Sequence, residues 1–116
     1  MNLKNLFYGI LLFALGQAMI WFQTNGQFIW PWFKKNPLIL SIVGGTTISY
    51  MFIKATALIA SHYGGLIWPG RFIGFSVGIL TFGILTNYYL TEGISLKTGV
   101  SLFLAFALLC VQIFWK

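Results

Sequence analysis

Four predominantly apolar stretches, at residues 6–22, 38–60, 67–90 and 96–115, constrain this chain more than anything else in it. A helix needs roughly 20 apolar residues to cross the hydrocarbon core of a bilayer. Four such helices and their short connections use up all 116 residues. Only 7% of the residues are charged, whereas a water-soluble domain averages about a quarter. A surface so poor in charge would not stay dissolved in water, so its solvent must be lipid. The expected fold is all-α: one membrane domain over residues 1–116 with four transmembrane helices.

The formal net charge of +6 comes from scattered residues, and the only basic run is the pair Lys34-Lys35. Cations at the ends of apolar helices anchor them beside anionic headgroups. Membrane lipid, not nucleic acid, is therefore the expected partner of this charge. The single cysteine, Cys110, lies deep in an apolar run and can form no intrachain disulfide. Lys4 followed by residues 6–22 has the outline of a signal peptide, but Gln23, Thr24 and Asn25 follow where a small-residue cleavage site would stand. The first stretch is accordingly expected to remain as a span.

In the first span Gly9, Ala14, Gly16 and Ala18 suit close helix contact, and Gln17 is the one strongly polar side chain. Either an interhelical hydrogen bond or a ligand satisfies Gln17. Residues 23–37 form the longest connection. Asn25-Gly26 signals a turn, and Phe28, Trp30, Trp32 and Phe33 make an aromatic belt suited to the headgroup level. Pro31 and Pro37 prevent one continuous helix.

The second span carries two stripes. Ser41, Gly45 and Ser49 are small and fall four apart, as a packing face does. Thr47, Tyr50, Lys54 and Ser61 form a polar stripe that suggests a wet cavity. Lys54 either snorkels to the interface or faces a cavity. The turn at residues 61–65 holds His62, which is expected to be solvated; no second ligand nearby would make it a metal site.

The third span opens with Trp68-Pro69-Gly70-Arg71. Gly70, Gly74 and Gly78 fall four apart and line a face another helix can approach. Arg71 sits among them with no acid in the local sequence. A guanidinium does not lose its proton in practice, so within an apolar span it needs an anion, a carbonyl or water. Lys54 cannot serve. Arg71, Lys54, Tyr50 and Gln17 are the residues expected to bind a substrate, and Gly70, Gly74, Gly78 and Gly45 those expected to pack helices. Glu92, the only acid, follows the third span in a segment that reads as a glycine-capped helix end, with Ser95 capping the fourth helix.

Four spans place both termini on one side. Lys4, Lys54, Arg71 and Lys116 lie towards that side and Lys34, Lys35 and Lys97 towards the other. The positive-inside rule then favours cytoplasmic termini in an inner or plasma membrane. The small balance leaves parallel and antiparallel assembly open. Small-residue faces exceed what one small bundle uses, so a homo-oligomer, most simply a dimer, is expected.

Leu66-Ile67-Trp68-Pro69-Gly70 resembles the third-helix segment of the small multidrug resistance family, within the drug/metabolite transporter superfamily. Trp30-Pro31 resembles the Trp-Pro leading into the family's second helix, and residues 89–97 are similar to the superfamily's last helix-loop-helix segment. The resemblance implies a four-span dimeric transporter with Trp68 at the substrate site. The family's first-helix glutamate, which binds protons and cationic drugs in turn, is replaced here by Phe13 or Ala14. Arg71 and Lys54 also make the local field positive, which repels cations and attracts anions. The expected cargo is therefore an anionic or neutral polar metabolite. The competing expectation is a protein that transports nothing: an accessory or scaffold subunit, or a holin-like pore former. With no paired acids, no His/Cys cluster and no phosphate loop, neither an enzyme nor a metal or cofactor is expected.

Overall fold

The computed structural model describes residues 3–115. Lys116, which the sequence places in water, lies outside them. Five α-helices follow in order: α1 Leu3–Asn25, α2 Pro31–Lys35, α3 Pro37–His62, α4 Trp68–Tyr89 and α5 Leu96–Phe114, with a 3-10 turn at Gly26–Phe28 before α2. Four of them, α1, α3, α4 and α5, are long and apolar enough to cross a membrane, as in an integral membrane protein. Their bounds match the expected spans closely, except that α1 is three residues longer at each end, from Leu3 through Asn25.

Local sequence explains the helix ends. Pro31 and Pro37 sit at the first positions of α2 and α3, where a missing N–H costs nothing. The chain leaves α3 through Gly64 and Gly65, both with positive φ. The Gly65 amide donates to the Ala60 carbonyl at 2.8 Å, the six-to-one bond of a Schellman turn. Ser95 caps α5 as expected, its hydroxyl accepting from the Thr98 amide at 3.2 Å. After α4 the left-handed residue is Thr91, φ 49°, with Gly93 two residues later at φ 82°. The expected glycine cap is thus displaced onto a β-branched residue.

Three hydrogen bonds show that the spans alternate in direction. Asn5 Nδ2 donates to Ser61 Oγ at 3.1 Å, joining the start of α1 to the end of α3. Trp21 Nε1 donates to Thr86 Oγ1 at 2.8 Å, joining the ends of α1 and α4. Tyr63 Oη donates to the Gln112 carbonyl at 2.8 Å, joining the turn after α3 to the end of α5. Burial pushes the Tyr63 phenol above its ordinary pKa, so it stays the neutral donor this bond requires.

The spans stand in a row, not in a four-cornered bundle. The molecule measures 46 × 36 × 18 Å. Helix α1 packs extensively on α3 and on α4, and α5 packs on the far side of α4, while α3 and α4 touch little. The buried core is Leu6 and Phe13 of α1, Ala55 and Ile59 of α3, and Ile73 and Val77 of α4. Glycines set these approaches. A Cβ on Gly9 would strike Ile59, with the Ala55 carbonyl oxygen 3.2 Å away, and one on Gly16 would lie 2.5 Å from the Phe52 ring. On the other flank a Cβ on Gly74 would lie 3.2 Å from Phe13, and one on Gly78 2.8 Å from the Gln17 amide.

Gly70, Gly74 and Gly78 therefore pack helices within the chain, Gly70 more loosely, against Ile59 at 3.7 Å. Gly45 does not: nothing lies within 4 Å of its Cβ position. Core contacts turn α3 so that its Ser41-Gly45-Ser49 stripe has no neighbour in the chain. His62 also departs from expectation. It ends α3 and is buried at 5% exposure, its ring edge-on to Tyr63 at 4.7 Å, because α3 runs on through Ser61 and His62 before it turns.

Gly9→Ala is expected to destabilise the chain by about 1–3 kcal/mol, although alanine favours helices by about 1 kcal/mol. Ile59, fully buried, cannot withdraw. Thermal unfolding in detergent, followed by circular dichroism, checks this; an unchanged or higher midpoint would refute close α1–α3 contact at Gly9.

Candidate functional site

Because α3 and α4 both lean on α1 and barely on each other, a groove of about 730 Å³ lies among the three helices. Its walls are mostly aromatic and aliphatic: Phe13 and Ile20 from α1, Phe52 from α3, and Phe75, Ile79 and Phe82 from α4. Polar groups are few. Arg71 and Trp68 stand at one end, Gln17 in the middle, and Thr24 and Asn25 at the other end. Thr56 adds a hydroxyl from α3.

Each of these positions follows from local structure. Arg71 lies in the first turn of α4, where its amide reaches the Ile67 carbonyl at 3.4 Å. Three residues in from Trp68 is roughly 4–5 Å of helix, within reach of a headgroup. The guanidinium is exposed and engages no hydrogen bond, ion pair or ring among the described residues. Trp68 is 70% exposed and stacks on Phe72, centroids 5.6 Å apart and planes 17° apart. Gln17 sits over Gly78, partly buried. It makes no hydrogen bond among the described residues, so the interhelical bond open to it from sequence is not formed. Gly78 lies seven residues beyond Arg71, roughly 10 Å along the axis. Thr24 follows Gln17 by the same interval along α1. The polar groups are thus rungs about 10 Å apart.

Not all the expected binding residues meet here. Arg71, Trp68 and Gln17 share the groove; Lys54 and Tyr50 do not. Phe52 and Thr56 face the groove, and Lys54 lies two residues from each, about 200° around a helix. Both Lys54 and Tyr50 are exposed, and the Lys54 ammonium lies 5.8 Å from the Tyr50 ring centroid. Contacts of Ala55 and Ile59 with the core fix the rotation of α3 and turn the Thr47-Tyr50-Lys54 stripe away. No cavity cation therefore faces Arg71 from Lys54. Glu92 is exposed in the connection after α4, a helix length from Arg71.

The Trp21–Thr86 clasp was not legible in the sequence. Trp21 is 1% exposed and Thr86 9%, yet Trp21 falls where a headgroup-level aromatic is ordinary and nothing pairs it with Thr86. Around it Phe22, Trp30 and Tyr89 form ring contacts at 5.3 to 6.2 Å, packing part of the aromatic belt against the ends of α1 and α4. A second recess of about 480 Å³, between α1, α2 and α3, is almost wholly apolar. Its one polar neighbour, the Gln23 amide, already donates to the Leu40 carbonyl at 2.8 Å. Among the described residues no three His, Cys, Asp or Glu side chains come together as a metal site.

No protein-family model, curated protein or solved structure matches this chain. The reading of the site rests on its geometry.

Trp21→Phe removes the clasp while keeping the aromatic volume. It is expected to cost about 1–2 kcal/mol, the value of a buried hydrogen bond whose acceptor is left behind. A lowered unfolding midpoint with unchanged helix content checks it; an unaltered midpoint would show that the clasp contributes nothing.

Proposed function

We propose that this chain is a small integral membrane transporter for an anionic or neutral polar solute, working as a homodimer. The observation that carries the reading is a guanidinium and a primary amide, both without partners among the described residues, on one groove. An amide left unpaired in an apolar setting costs about 1–3 kcal/mol by protein mutational measures, and an unpaired guanidinium attracts an anion. A ligand that satisfies them in turn recovers that energy. Arg71 supplies the charge, Trp68 a flat apolar surface beside it, and Gln17 a donor and an acceptor deeper in. Lys54 and Tyr50 are left out of this site, since they lie on the opposite side of α3.

An uncovered small-residue stripe supports the homodimer. The Gly45 stripe, with nothing within 4 Å of the Gly45 Cβ position, offers a second copy a place of close approach. Antiparallel copies would bring Glu92 of one to the membrane side of Arg71 of the other. Termini on the cytoplasmic side of an inner or plasma membrane remain the preferred orientation. The likeness to the small multidrug resistance family agrees with four spans and a Trp68 site. The positive groove and the missing first-helix acid argue against that family's cationic cargo.

Arg71→Gln is expected to reduce uptake of a soluble anion such as inorganic phosphate or a short-chain carboxylate into proteoliposomes at least tenfold, the effect of losing a charged hydrogen-bond partner. Dimer content by cross-linking should not change. Wild-type vesicles no more permeable than empty ones, together with a chain recovered only in complex with a larger protein, would favour the accessory-subunit reading.

A further inference from the structure

The groove's walls suit a cargo that is itself partly apolar. Its polar groups form a single file: Arg71 at one face of the membrane, Gln17 about 10 Å in, and Thr24 with Asn25 a similar step further. Apart from the Thr56 hydroxyl on α3, the banks beside that file are apolar, with Phe52 on one and Phe75 on the other. The gap between α3 and α4 leaves the groove open sideways, where the solvent is acyl chains. A lipid uses both surfaces: its own chains fill that opening while its headgroup follows the polar file.

Charge complementarity selects the head. Arg71 has no partner among the described residues, and the sole acid of the chain is at the other end of α4. At the far end Thr24 Oγ1 donates to the Ile20 carbonyl at 2.8 Å and accepts from Asn25 Nδ2 at 2.9 Å, so that end is polar, uncharged and already paired, and does not hold an anionic head as Arg71 does. We propose that the cargo is an anionic phospholipid, whose headgroup passes along the Arg71–Gln17–Thr24/Asn25 file from one leaflet to the other while its chains stay in the bilayer. This rests on the transporter reading above and names its substrate class.

The test uses the full chain in vesicles that carry a trace of phosphatidylglycerol or phosphatidylcholine labelled on one acyl chain with a dithionite-sensitive fluorophore. The fraction bleached from outside measures exchange between leaflets. Wild-type protein is expected to exchange phosphatidylglycerol at least tenfold faster than empty vesicles and faster than phosphatidylcholine. Arg71→Gln should bring phosphatidylglycerol down about tenfold, to the phosphatidylcholine rate, and Arg71→Lys should retain much of the difference. Gln17→Leu should slow both lipids, and Lys34→Gln with Lys35→Gln, outside the groove, should slow neither. Circular dichroism confirms that each variant keeps its helices. Phosphate flux is read in the same vesicles. Arg71-dependent phosphate flux without lipid exchange would overturn this inference and leave the transporter reading standing; absence of both would overturn the two together. Lipid exchange equal in wild type and Arg71→Gln would mark general bilayer disturbance and also overturn the proposal.

Discussion

Everything in this architecture depends on how α1 meets its two neighbours. In lipid, helices gain nothing by hiding apolar surface from one another, so close contact at small residues decides what packs with what. Helix α1 is small on one flank and large on the other. Gly9 and Gly16 receive Ile59 and Phe52 of α3, whereas Phe13 and Gln17 of α1 rest on Gly74 and Gly78 of α4. The two contacts are reciprocal: the glycines belong to α1 in one and to α4 in the other. Each neighbour is held by α1, and neither needs the other. A row with a trough over α1, between α3 and α4, is the geometric result.

The trough gives the charges their meaning. Arg71 is not deep; at the first turn of α4 it lies at a level where a guanidinium can meet phosphate. Its position on the groove side of α4 distinguishes it from an ordinary snorkelling cation. Lys54 shows the contrast. It lies deeper, eight residues before the end of α3, but on the outer side, where the Tyr50 ring is its neighbour. Depth alone suggested that both cations belonged to one site. Helix rotation separates them, and rotation is set by which apolar residues of α3 find α1.

That difference marks how far the sequence could be read. Span number, span limits and the Ser95 cap were legible, because length, hydropathy and capping chemistry are local. The Gly70-Gly74-Gly78 face was legible as a packing face, although its partners turned out to be within the chain. Gln17, Trp68 and Arg71 were legible as a group because each is an anomaly of its own span. The Gly45 stripe, the outward Lys54-Tyr50 pair, buried His62 and the Trp21–Thr86 clasp were not. Each depends on the rotation of one helix against another, or on where a turn begins. A uniformly apolar span gives little sign of its rotation, since nearly every face of it is acceptable to lipid.

The central claim is that polar species reach the middle of the membrane along this groove. Thiol accessibility tests it most directly. In a chain with Cys110→Ser, a single cysteine replaces either Gln17 on the groove or Leu15, at almost the same depth on an exposed flank of α1. A membrane-impermeant, charged thiol reagent added to reconstituted protein should label Gln17→Cys and leave Leu15→Cys unmodified. Equal labelling of the two, or none at either, would contradict the account.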